Sequence, residues 1–287
     1  CRPLRYKFML AVVLVMLCAW TAGAQQTSGT HTVSTVATRT DAPITLDGRL
    51  DEPAWQAAAK ADGFVQSEPE EGKPATERTE VRVLYDDRNL YVGVMCFDSL
   101  AAGVMVNSLK EDFAPSDADY FEVILDSLHN QRGGFLFTTN PMGAKRDSQI
   151  TDEGRTTNTD WDTVWDVRAR RTPQGWTAEF VIPFKSLAFN EGASNETWGI
   201  NFSRNIRRKN ELDVWSPIPR RFSITRLSLA GELTGLKGVE KGRNLRLKPF
   251  IVAETNKLAR NDDRTWKAKP GLDVKYSLTP SMILDLT

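Results

Sequence analysis

Between residues 79 and 206 the chain alternates apolar and polar side chains with a period of two, in short runs broken by turn residues. Successive side chains of a strand point to opposite faces, so this pattern suits half-buried strands and cannot serve a helix of period 3.6. Thr79–Tyr85 sets Val81 and Val83 between Glu80 and Arg82, and residues 90–97 form a second apolar run behind Asp86-Asp87-Arg88-Asn89. The pair predicts an antiparallel hairpin. Residues 120–128 place Phe121, Val123 and Leu125 on one face, with Glu122 and Asp126 on the other. Residues 133–140 align Phe135 and Phe137 before the turn Asn140-Pro141-Met142-Gly143. Three later runs, 164–171, 175–182 and 198–206, align Trp165 with Val167, Trp176 with Ala178 and Phe180, and Ile200 with Phe202. No long amphipathic helix intervenes. The expected fold is all-β: an antiparallel β-sandwich of the jelly-roll or immunoglobulin-like kind.

At 287 residues the chain can bury a substantial core in one large domain or two smaller ones. Its 37 basic and 37 acidic residues balance, which removes the basic footprint a nucleic-acid partner would need. Arg2, Arg5 and Lys7 precede an apolar run from Phe8 to Trp20 and then Ala22-Gly23-Ala24. That order is a secretory signal over residues 1–24, and the run is short of the roughly 20 apolar residues of a spanning helix. Leu17-Cys18 is a poor lipoprotein site because a large Leu precedes the Cys. Removing the signal leaves a net charge of about −3. It also leaves Cys96 alone, so no intrachain disulfide is expected, and Cys96 reads as a small buried hydrophobe. Cys1 in place of an initiating Met suggests an incomplete amino end. Residues 25–40 are rich in Thr, Ser, Gly and Gln and read as a linker that becomes a strand near Val33 to Arg39.

The stretch Ile44-Thr45-Leu46-Asp47-Gly48-Arg49-Leu50-Asp51-Glu52-Pro53-Ala54-Trp55 opens the folded part. Asp47-Gly48 is a turn, Asp51 is placed to cap a helical turn, Pro53 suits its first position, and Trp55 fills core. This wording resembles the opening of the family 9 carbohydrate-binding module, a non-catalytic β-sandwich. Thr79 to Asp98, the strand from Asp119 to Asp126, Phe137 to Asp147 and Trp161 to Phe184 resemble the later blocks of that module, in order. The resemblance implies a sandwich over residues 41–238 that holds a polysaccharide or oligosaccharide, xylan among the possible glycans. Beyond Gly238 the pattern changes. Residues 244–254, 272–278 and 282–287 alternate like the first strands of an outer-membrane β-barrel. So few strands cannot close a barrel, so residues 239–287 are expected to be its truncated start. The whole resembles a bacterial outer-membrane arrangement in which such a module precedes a barrel, facing the periplasm.

Sugar recognition needs an aromatic ring against the apolar face of the sugar and fixed polar groups for its hydroxyls. Parity assigns Trp165, Trp176 and Trp198 to the core. Trp161, in a polar run, and Trp215, in a loop, are the candidate stacking platform; the resembled family holds a sugar between two tryptophans. Arg146, Asn140 and Asn201 are candidate polar partners. The acidic loop with Asp112, Asp117 and Asp119 is a candidate Ca²⁺ site, against the simpler reading of a solvated loop. Its spacing is not that of an EF-hand. His31 and His129 lie far apart in linker and turn, and no phosphate-binding glycine loop appears. No carboxylate pair stands out for glycosidase chemistry. The expected function is non-catalytic glycan binding by an exported module attached to an outer-membrane barrel, in polysaccharide capture or uptake. The alternatives are a structural plug or partner-docking domain that has lost its sugar site, and a glycoside hydrolase accessory region.

Overall fold

The computed structural model describes residues 33–190, 196–240, 245–257, 264–279 and 282–286. The expected signal and the first part of the expected linker lie outside the described residues. The chain begins with β1 (Ser34–Val36), β2 (Thr38–Arg39), the short helix α1 (Pro53–Ala57), β3 (Lys60–Ala61) and β4 (Val65–Glu68). Next come β5 (Thr79–Tyr85), β6 (Asn89–Phe97), β7 (Tyr120–Asp126), β8 (Gly134–Thr139), β9 (Lys145–Thr151) and β10 (Thr156–Asn158). Then follow β11 (Asp166–Thr172), β12 (Gly175–Pro183), β13 (Glu196–Ile206), β14 (Glu211–Val214) and β15 (Gly231–Leu236). The last strands are β16 (Leu245–Lys257), β17 (Arg264–Thr279) and β18 (Met282–Leu286). The alternation located the long central strands. It missed β9, whose seven residues include one apolar side chain, Ile150, the six-residue β15, and the short β3, β4, β10 and β14.

One sheet runs β1-β15-β13-β7-β8-β9-β10, with β14 and then β4 branching from β13; the other runs β11-β12-β6-β5-β2, with β3 on β5. Every pairing is antiparallel except β1 on β15 and β2 on β5. Those two edge strands are separated by Ala37 alone, so the end of the expected linker stitches the two layers together. The β5–β6 hairpin forms as expected, with Val81 opposite Val94 and Val83 opposite Val92.

The residues that parity turns inward make one core between the sheets: Val81, Val83, Phe121, Val123, Phe137, Ile200 and Phe202 are all fully buried. Trp165 stacks on Phe180 at 5.8 Å with the rings 9° apart. Cys96 is buried there, and burial pushes its thiol up to about 12. The polar faces of the strands are not simply solvated. Residues 44–58 lie across the outer face of the second sheet, where Trp55 packs with Leu50, Leu84 and Tyr91. Trp55 is therefore fully buried, but outside the sandwich core. Gly93 makes room for it: a Cβ there would sit 2.8 Å from the indole ring.

This crossing is tied down by Glu179, whose carboxylate accepts N–H bonds from Asp47 (3.0 Å), Gly48 (2.7 Å) and the Trp55 indole (3.1 Å). Gly48 holds φ +80°, which glycine adopts freely, and Asp47 accepts from the Arg49 N–H at 2.9 Å. The expected cap differs. The residue before α1 is Glu52, with no side-chain capping bond. Glu52 instead accepts from the Thr45 N–H at 3.0 Å. On the outer face of the first sheet, Ile124, Ile150 and Val214 are covered by Ile218, Ile224 and Leu227.

The third sheet, β16-β17-β18, is described by itself. β16 and β17 pair without a register break from Leu245 opposite Tyr276 to Lys257 opposite Arg264. Ile251 and Leu272 are 74% and 50% exposed, apolar side chains facing outward from a sheet.

Candidate functional site

Three of the five candidate sugar contacts serve the fold instead. Trp215 is 3% exposed and packs on Phe202 with ring centroids 5.4 Å apart, so it has no face to offer a ligand. Asn140 is fully buried: its amide donates to the Ser108 carbonyl (2.7 Å), and its oxygen accepts from Met142 (3.0 Å) and Ala144 (3.2 Å). It holds the Asn140-Pro141-Met142-Gly143 turn. Asn201 is likewise buried and brackets Ser216, donating to its carbonyl at 3.0 Å and accepting from its N–H at 2.8 Å. Trp215 and both asparagines follow one rule: a side chain in a loop or on a polar face is still internal when another segment lies over it.

The acidic loop is also divided. Asp119 is buried and accepts from the N–H groups of Met105 and, at 3.0 Å, Arg207. Asp117 sits in a single 3-10 turn, Pro115–Asp117. Asp112 faces a different cavity. Among the described residues no three His, Cys, Asp or Glu side chains group as a metal site, so Asp112, Asp117 and Asp119 do not form the Ca²⁺ cage the sequence suggested.

Trp161 and Asp112 do come together. They line a cavity of about 340 Å³ with Lys145, Asp147, Asp160 and Asp162. Trp161 is half-buried and rigidly backed: its indole stacks on Phe135 at 4.9 Å and meets the edge of Phe137 at 6.4 Å. Lys145 pairs with Glu111 at 3.4 Å. Asp147 accepts from the Thr163 N–H at 2.8 Å, and burial pushes its carboxyl above the usual range despite that bond. A fixed indole beside several carboxylates and an ammonium can hold a polyhydroxylated ring, the indole packing on its C–H face and the carboxylates accepting from its hydroxyls. Asp160 and Asp162 flank Trp161 in sequence, a signal that was available. Lys145 and Asp147 reach the cavity through the β8–β9 register, which no local pattern shows.

Arg146 lies on the outer face of the first sheet. Its guanidinium donates to the Phe113 carbonyl at 3.3 Å, and its charge favours ionised Glu122. Glu122 is buried and accepts from Ser203 (2.8 Å) and Thr138 (3.2 Å); burial raises its carboxyl in spite of them. Glu122, Tyr120, Leu136, Ser203 and Phe222 line a second cavity of about 220 Å³. Parity had turned Glu122 outward, but only the covering segment around Phe222 makes that face a pocket.

A two-sheet sandwich whose cavities combine aromatic rings with convergent polar groups defines a β-sandwich binding module. Residues 46–214 match the model of the carbohydrate family 9 binding domain-like family, and the chain belongs to that family. Among solved structures it is similar to a candidate carbohydrate-binding protein from Bacteroides uniformis, at 12% identity and a TM-score of 0.58, over 71% of this chain and 100% of that one. That likeness is one of fold. A family 9 carbohydrate-binding module from Caldicellulosiruptor kristjanssonii also aligns. It has been solved with cellotriose (16% identity, TM-score 0.49, 72% of this chain and 95% of that one). It has also been solved with glucose (16%, 0.46, 73% and 98%). No curated protein matches the chain.

Proposed function

We propose that the sandwich binds a glycan without catalysis, and that Trp161 is its platform. The observation that carries this is the half-buried indole, locked on Phe135 at 4.9 Å, at the wall of the cavity with Asp112, Asp147, Asp160 and Asp162. Membership of the carbohydrate-binding family supports the ligand class. Calorimetry of the whole chain against xylan, cello-oligosaccharides and glucose is the test. Trp161→Ala should weaken binding about fivefold or more while the fold persists, taking the scale of a ring stacked on an aromatic from nucleobases, about 1–3 kcal/mol. The series is run with Ca²⁺ and with a chelator, because Asp112 lies in the same cavity.

A second reading is favoured by one observation, the buried Glu122 held by two hydroxyls beside Phe222. It places the sugar on the outer face of the first sheet. In that case Phe222→Ala and Glu122→Gln lose binding, and Trp161→Ala does not. Absence of binding by the unaltered chain to every glycan would sink both, and leave the sandwich a docking or plug domain.

The setting belongs to the same proposal: an exported module attached to an outer-membrane barrel, serving polysaccharide capture or uptake. The support is the charged-apolar-small order of residues 1–24 and the third sheet, whose 13- and 16-residue strands exceed the 9–11 residues a tilted strand needs to cross a bilayer.

A further inference from the structure

Residues 44–58 cover part of the outer face of the second sheet. Beside them lies an open cavity of about 440 Å³, a size typical of ligand pockets. The strand register explains its lining: Glu80 lies opposite Met95, Met95 opposite Thr177, and Thr177 opposite Arg170, all turned away from the core. Arg82 is 8% exposed and lines the same cavity. Its Nη2 reaches Glu80 at 3.4 Å, but its buried Nε has no hydrogen-bond partner. A buried guanidinium with an unused donor is costly, and its charge favours an anion in the cavity that it lines. Glu80 does not neutralise it, because Lys60 and Arg78 both lie 3.3 Å from the same carboxylate. Arg170 adds an exposed cation on the cavity wall and makes no ion pair among the described residues.

From this geometry we infer that the cavity is a second binding site, for a carboxylate-bearing sugar such as a uronate. Arg82 and Arg170 receive the carboxylate, a planar acceptor suited to guanidinium donors. Thr172 and Gln174 meet hydroxyls, and Leu50 and Met95 offer an apolar strip to the C–H face of the ring. The site shares no lining residue with the Trp161 cavity, so it stands whether or not that cavity binds sugar.

The test is calorimetry of the whole chain with trigalacturonate, its fully methyl-esterified form, and triglutamate of equal charge. Trigalacturonate should bind, and esterification should weaken it at least tenfold. Arg82→Gln removes the buried donor at some risk to the fold, so Arg170→Glu, at an exposed position, is its pair and should also weaken binding at least tenfold. No binding, equal binding of the ester, equal binding of triglutamate, or indifference to Arg170→Glu would each overturn the assignment.

Discussion

Asp213 and Glu77 show how burial and partners move two carboxylates in opposite directions. Asp213 is fully buried, and burial, then the charge of Glu211, pushes it up to about 8. In an unfolded chain it titrates near 4. The folded state therefore holds the proton more tightly. Its stabilisation is complete below about pH 4 and is lost as pH rises to about 8. Glu179, pushed up to about 7 chiefly by burial, adds to the same loss over a lower range. For Glu77, burial opposes ionisation, yet hydrogen bonds from Lys209, Ser99 and Arg208 outweigh it and pull the carboxyl down to about 2. Its stabilisation is present above about pH 4.5 and lost as pH falls toward 2. Urea midpoints should thus decline between about pH 5 and 8 and level off above, and Asp213→Asn should flatten that decline. A slope indifferent to this substitution would refute the account. Composition could not foresee it, since 37 acids look alike until tertiary burial separates them.

Among elements, the crossing of residues 44–58 over the second sheet depends on three features: the Asp47-Gly48 turn, Trp55 and the Glu179 acceptor. Trp55→Ala should destabilise the chain by about 3–5 kcal/mol, the usual cost of emptying a buried tryptophan site. Gly93→Ala should cost about 1–3 kcal/mol by overpacking, since its Cβ would meet the ring at 2.8 Å. Denaturant melts of the two variants check this, and a neutral Gly93→Ala would mean that the crossing shifts at no cost. The turn and Trp55 were legible in sequence because turn chemistry is local. Glu179 was not. It alternates with Ala178 and Phe180 as an outward polar residue should, and only a segment more than a hundred positions earlier in the chain turns it into a buried anchor.

For the whole molecule, the sandwich and the third sheet make different demands on solvent. The sandwich hides its apolar faces between layers, whereas the third sheet leaves Ile251, Val252 and Leu272 exposed. Under the proposed outer-membrane setting, the full chain should partition into detergent micelles, and a chain ending at residue 240 should stay in the aqueous phase. Aqueous behaviour of both would count against the membrane role.

Periodicity alone settled the class of fold and the inward face of each central strand, because a two-residue alternation has one way to bury its apolar half. The core residues Phe121, Phe137, Trp176 and Phe202 follow directly from it. The motif blocks likewise carried the family from the residues themselves. The sites were decided by tertiary structure. Trp161 and Trp215 read alike as loop tryptophans, yet one lines a cavity and the other is 3% exposed against Phe202. The difference is what lies over each, and that cover comes from residues distant in sequence. Parity says which way a side chain points, but not whether another segment will cover it.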